Sequence, residues 1–147
     1  LNCMCQANTR GVQEERPVLK PRILQPLIYF RAAVIRKEAK VLLVKRPSKG
    51  LLGGLWEFPN EQDVNDFNDQ GNRLKQTLLN RFGINSEIIS QLGIYKHTYT
   101  HFRQIMKVYN VKYISGMVKS GEFSWVAIDE FSNYPMGKIF KMICKSL

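Results

Sequence analysis

The residues best able to do chemistry fall into three groups. Cys3, Cys5 and Cys144 are odd in number and follow no framework spacing, so disulfides are not expected. Cys3 and Cys5 are too close together to close a metal site alone and suit the tail of a larger thiolate cluster with ligands upstream. Cys144 lies among apolar residues and reads as core. Acid concentrates at Glu57, Glu61, Asp63, Asp66 and Asp69, while no Asp or Glu stands between Glu87 and Glu122. That acid-free interval carries Lys96, Arg103, Lys107, Lys112 and Lys119. Singly these cations read as solvated surface. Together they suit phosphates, and binding through them is steeply salt-dependent. The third group is GLLGGLWEFPN, Gly50 to Asn60, whose Gly53-Gly54 pair permits either a close backbone approach or a tight turn.

These groups need elements to position them. Arg10 to Pro26 is charged, contains three prolines and lacks a sustained period, as a connector would. LIYFRAAVI from Leu27 is a near-continuous apolar run expected to form a central strand, with KVLLVKR from Lys40 as its hairpin partner across RKEA. Leu55 to Phe58 predicts a short strand. Leu74, Leu78 and Phe82 recur every four residues, which predicts a helix over Asn72 to Phe82 stopped by Gly83. Ser86 to Ile94, Tyr95 to Phe102 and Ile105 to Ile114 read as strands or strand–loop units, and Phe123 to Ile128 as another strand. Met136 to Ser146 predicts a closing helix with Met136, Ile139, Phe140 and Ile143 as its apolar stripe. Trp56 and Trp125 are expected in the core, and His97 as a hydrogen-bonded structural histidine. The alternation of patterns gives an α/β domain with a mixed sheet and few helices.

The 147 residues suffice for one domain with a real core, and 44% hydrophobic content excludes a disordered chain. No apolar run approaches the roughly 20 residues of a membrane span, and the start has no secretory-signal character. Absence of an initiator methionine suggests a chain cut from something longer. A formal charge of +10 favours polyanionic partners, nucleic acid ahead of membrane because no basic amphipathic anchor is present.

GGLWEFP followed by a helix ending in Gly-Ile resembles the Nudix fold, a mixed β-sheet sandwiched by a few helices. In that family the helix carries an Arg-Glu pair and two adjacent glutamates that hold magnesium against a diphosphate. The matching positions here are Gln76, Thr77, Asn80 and Arg81. Positions 77, 80 and 81 share a helix face. Three carboxylates there would hold a hard cation; threonine, asparagine and arginine do not. The resemblance implies the scaffold without its hydrolytic chemistry. Glu57 alone reads as a structural or solvated strand residue.

The order of three stretches is similar to the C-terminal part of the MutY adenine DNA glycosylases. LNCMCQA resembles the close of that family's iron–sulfur motif, which makes Cys5 the fourth ligand of a [4Fe-4S] cluster in a full-length protein, with none held by this fragment. GVQEERPVLKPR resembles the interdomain connector. KGLLGGLWEFPN and HTYTH resemble the recognition domain, whose His-x-Phe-Ser-His loop aligns Tyr99, Thr100 and His101 here. The resemblance thus divides the chain into 1–9, the cluster-motif tail; 10–26, the connector; and 27–147, a Nudix-like 8-oxoguanine recognition domain.

What that resemblance implies is chemically coherent. 8-Oxoguanine has an N7–H donor and an O8 acceptor that guanine lacks, and a threonine hydroxyl both donates and accepts. An aromatic at 99 can wedge or stack beside a base, worth about 1–3 kcal/mol. His101 suits a phosphate or base edge, and Lys96 and Arg103 are candidate phosphate contacts. Tyrosine and threonine replace the family's phenylalanine and serine, so the extra hydroxyl needs a partner and the extra methyl needs room. The expected function is lesion recognition in base-excision repair. The domain would be non-catalytic alone, with adenine glycosylase activity residing in an N-terminal domain of a parent enzyme. Expected partners are double-stranded DNA carrying 8-oxoguanine opposite adenine and that catalytic domain, with no membrane. A monomer in the cytoplasm, associated with a bacterial nucleoid, is implied. Two alternatives stand beside it: a Nudix pyrophosphohydrolase acting on an oxidised nucleotide, with metal held by Glu57, Glu61 and Asp63, and a protein-docking module. Taken alone, YKHTYTHF also fits a plain β-segment with alternating faces.

Overall fold

The apolar run from Leu27 becomes strand β1, Leu27–Lys37, in a computed structural model that describes residues 24–50, 52–63, 71–118 and 121–147. Ala32, Ala33, Val34 and Ile35 are all fully buried, because this strand has sheet neighbours along both edges and helices over both faces. Strand β2, Lys40–Lys45, returns antiparallel after a turn at Glu38 and Ala39, with Glu38 in the left-handed region at φ 56°. The remaining strands are β3, Trp56–Glu57; β4, Asn60–Asp63; β5, Ile84–Thr98; β6, Arg103–Gly116; and β7, Phe123–Ala127. These seven form one mixed sheet in the spatial order β3-β2-β1-β6-β5, with β4 beside the first half of β1 and β7 beside β2. β1 and β6 run parallel, Leu27 opposite Arg103 through Arg36 opposite Lys112.

Helix α1, Asn72–Phe82, covers one face and α2, Lys138–Lys145, the other. Leu74, Leu78 and Phe82 pack on Ala33, Ile35, Leu42 and Val111, the residues of one parity along the strands. Ile139, Phe140 and Ile143 pack on Ala32, Val34, Leu43, Met106 and Val108, the other parity. Gly83 ends α1 at φ 74°, as a left-handed cap requires. The mixed α/β sandwich expected from sequence is present.

Three elements differ from expectation. The segments read as Ser86–Ile94 and Tyr95–Phe102 are mostly a single 15-residue strand, β5, whose register against β6 shifts at three places. Asn60–Asp63 is a strand although its residues, NEQD, are all polar. Helix α2 begins only at Lys138, and Met136 instead bridges to Trp56 beside the sheet. Of the Gly53-Gly54 pair, the turn accounts for the glycine at 53: a Cβ there would collide with the Ser48 carbonyl, and the Gly53 and Gly54 amides donate to Gly50 and Pro47. The cluster-motif residues 1–9 and nearly all of the connector lie outside the described residues, as do Asp66, Asp69 and Lys119.

Candidate nucleic-acid interface

Strands β5 and β6 form a long antiparallel ribbon, and the turn joining them carries Tyr99, Thr100, His101 and Phe102. The Tyr99 amide donates to the Phe102 carbonyl at 2.8 Å, which closes the neck of the loop. The Tyr99 ring stacks on Phe102 with centroids 4.6 Å apart and meets the edge of His97 at 4.5 Å. His97 was expected to be held by a hydrogen bond; its side chain instead packs edge-on against the Tyr99 ring. Burial pushes the Tyr99 phenol above its ordinary pKa, partly opposed by the Arg46 guanidinium, so the hydroxyl stays protonated and able to donate at neutral pH. Thr100 and His101 are exposed and their side chains make no hydrogen bond among the described residues. A rigid aromatic base thus presents a free hydroxyl and a free imidazole to solvent.

The predicted phosphate contacts are placed less simply. Lys96 lies opposite Ile105 and Arg103 opposite Thr98. By strand alternation both are on the sheet face away from His97 and Gln104. They flank the ribbon near its tip, on the other side from the Tyr99 ring. Lys107 shares their face, and Lys112 stands opposite Glu87, so a stretch free of acid in sequence gains an acid neighbour in the fold. Behind the loop, Tyr99 closes a cleft of ≈ 70 Å³ lined also by Phe30, Arg46, Asn60, Phe102, Gln104 and Phe140. That is far below the roughly 300 Å³ at which small-ligand pockets begin, and a nucleotide does not fit. Sequence reasoning missed Arg46 and Gln104 as neighbours of this loop; neither sits in a motif, and only the register of β6 and the end of β2 brings them here.

Among the described residues, the polar side chains on the α1 face are tied to one another and to strand β4. Thr77 donates its hydroxyl to Glu61 Oε2, Gln76 Nε2 donates to Asn80 Oδ1 at 3.4 Å, and Arg81 Nη1 donates to the Asn60 carbonyl at 3.3 Å. The carboxylates put forward as replacement ligands are each committed to arginine. Arg46 holds Glu57 at 2.8 Å, and Arg31 holds Asp63 at 2.8 Å with Glu61 at 3.8 Å. Arg31 is itself buried within β1. Its fixed positive charge lies beside the two carboxylates, so the donor set suits an internal guanidinium and opposes a divalent ion. Among the described residues no three His, Cys, Asp or Glu side chains converge.

Cys144 is half-buried with its Sγ 3.6 Å from Met136 Sδ, and burial raises its pKa to about 11. The raised value means the thiol stays protonated below pH 9 and ionises only as pH approaches 11. Alkylation of the Cys144 peptide at pH 8, followed by mass spectrometry, is expected to run about 100-fold slower in the native chain than in urea, because thiolate fraction falls about tenfold per unit of pKa.

The architecture defines a class of protein: the NUDIX domain family profile matches residues 31–146, and the chain belongs to that family. Within it, the chain is similar to adenine DNA glycosylases. The Mus musculus enzyme is 32% identical over 109 residues, covering 69% of this chain and 21% of that protein. The Homo sapiens enzyme is 36% identical over 74 residues, covering 50% and 14%. The chain therefore spans about a fifth or less of the length of these relatives. Among solved structures, the C-terminal domain of mouse MUTYH in complex with human PCNA superposes with TM-score 0.63 and 26% identity, over 81% of this chain and 86% of that one. The MutT protein from Methanosarcina mazei Go1 superposes at TM-score 0.72 with 22% identity, over 82% and 92%, a likeness of fold alone.

Proposed function

We propose that this domain inspects duplex DNA for 8-oxoguanine opposite adenine and directs an adenine DNA glycosylase to that mispair. The observation that carries the proposal is the β5–β6 loop, where stacked aromatics hold an exposed Thr100 hydroxyl and an exposed His101. Thr100 answers the N7–H and O8 pair of the oxidised base, Tyr99 and Phe102 support it, and His101 meets phosphate or a base edge. Lys96 and Arg103 meet the DNA backbone from one face of the ribbon, beside the tip. Discrimination follows because unoxidised guanine leaves the polar loop unmatched. Glycosidic bond cleavage belongs to a catalytic domain of the parent enzyme, and Cys5 would supply one ligand to a [4Fe-4S] cluster there. Similarity to adenine DNA glycosylases and the arginine-filled metal face both support this reading over nucleotide hydrolysis.

Fluorescence anisotropy with duplexes carrying 8-oxoguanine·adenine or guanine·adenine tests it. The chain is expected to bind weakly but to prefer the oxidised duplex. Thr100→Ala is expected to cost about 1 kcal/mol of that preference, on the order of fivefold, with little change toward the undamaged duplex. Equal affinity of the unaltered chain for the two duplexes would sink the reading. Protein docking is a second reading, favoured by the mouse MUTYH domain having been solved bound to PCNA. Capture of a partner that survives nuclease treatment supports it.

A further inference from the structure

The end of the connector touches the loop that reads the base. Gln25 Nε2 donates to two successive carbonyls of that loop, Tyr99 O at 3.1 Å and Thr100 O at 2.7 Å. The next residue completes the attachment: the Pro26 carbonyl accepts from the Arg103 amide at 2.9 Å. Two adjacent connector residues therefore grip the loop at its entry and its exit. One carboxamide nitrogen, which carries two hydrogens, thus serves two successive carbonyls, and this constrains the orientation of the Gln25 side chain and of the peptide planes it holds. Those planes set where the Thr100 hydroxyl points. Beyond Pro26 the chain enters β1 at Leu27, directly opposite Arg103, so the grip is anchored to the central strand.

We propose that Gln25 is a positioning residue for the recognition loop, holding the Tyr99–Thr100 backbone in its reading conformation and tying that conformation to the connector. The proposal rests on the reading of the loop given above. Gln25 makes no demand on the DNA itself. A lost grip leaves the aromatics and the cations in place but frees the Thr100 peptide to rotate, and a preference that depends on hydrogen-bond geometry falls. Connector and loop then act as one unit: a force on the connector from a neighbouring domain reaches the base-reading residue through two hydrogen bonds.

The test compares Gln25→Met, which keeps side-chain length but has no donor, with Thr100→Ala and the unaltered chain. In the unaltered chain, nuclear magnetic resonance should show Gln25 carboxamide protons that exchange slowly with solvent. In Gln25→Met the loop amides from Thr100 to Arg103 should exchange faster. Preference for the 8-oxoguanine duplex should fall on the order of fivefold, with affinity for the undamaged duplex unchanged within about twofold. A purely packing role would leave both readouts unmoved, since methionine keeps the packing. Gln25 protons that exchange like those of a free side chain overturn the proposal without touching the reading of the loop. So does a preference unchanged by Gln25→Met but lost in Thr100→Ala. A preference that neither variant alters overturns the loop reading and this proposal together.

Discussion

Arg31→Ala is expected to lower the unfolding free energy by about 3–5 kcal/mol, the range for breaking a buried ion pair from one side. The Arg31 side chain is 2% exposed and its partner Asp63 is 1% exposed, with 2.8 Å between them. Removing the guanidinium leaves Asp63 in the protein interior with the half-exposed Arg73 3.9 Å away. Glu61 keeps the Thr77 hydroxyl but loses the cation 3.8 Å from it. Strand β4 owes its place to this group, since Tyr29 through Ala32 pair with Asp63 through Asn60 and nothing in NEQD is apolar. The variant should therefore lose β4 first. Urea unfolding with fluorescence detection checks the magnitude. The complementary experiment replaces Arg31, Glu61 and Asp63 together by Met, Gln and Leu. It should recover most of the loss, because neither ion of the pair is then left alone in a low-dielectric interior. A cost below about 1 kcal/mol for Arg31→Ala would show that solvent reaches this group freely.

That network also shows where the sequence was readable and where it was not. Leu74, Leu78, Phe82 and Gly83 announce helix α1 completely, because a helix half-buried on one side prints its period on the chain. LIYFRAAVI announces a central strand by its near-continuous apolar run, in which a single arginine carries no signal of its own partner. An arginine flanked by Phe30 and Ala32 in a central strand must find a carboxylate, and the acids at 61 and 63 were available. The polar strand β4 was missed because its stability lies in pairing and charge rather than in apolar alternation. Strand β5 reads as separate pieces because it is the edge strand of the sheet. Most of its residues are exposed or half-buried, and its register shifts break the period of two. Tyr99, Thr100 and His101 are singled out only by resemblance to a family loop, and they lie on the turn between β5 and β6. Gln25 was hidden in a connector that composition alone marks as spacer.

Phe58→Ala is expected to destabilise the chain by about 3–5 kcal/mol, and it explains why a motif outlives its chemistry. Phe58 is fully buried, with Phe131 and Phe140 ring centroids each 6.0 Å away. Its neighbours are stitched by their backbones. The Trp56 amide donates to the Pro135 carbonyl at 2.8 Å, and the Pro59 carbonyl accepts from Ala33, in the middle of β1, at 2.8 Å. The Trp56 ring meets Tyr134 edge-on at 5.1 Å. WEFP thus joins the central strand to the segment leading into α2, whatever the α1 helix holds. These packing demands do not involve Thr77, Asn80 or Arg81, so the WEFP stretch is required by the fold whether or not the helix carries carboxylates. Phe140 also lines the cleft behind Tyr99, so the cavity left by Phe58→Ala should reach the β5–β6 loop. The variant should show a lower urea midpoint and faster exchange at the Tyr99 amide. Phe58→Leu, which restores much of the volume, should recover more than half of the lost stability. A Phe58→Ala variant as stable as the parent would mean that WEFP persists for some reason other than packing.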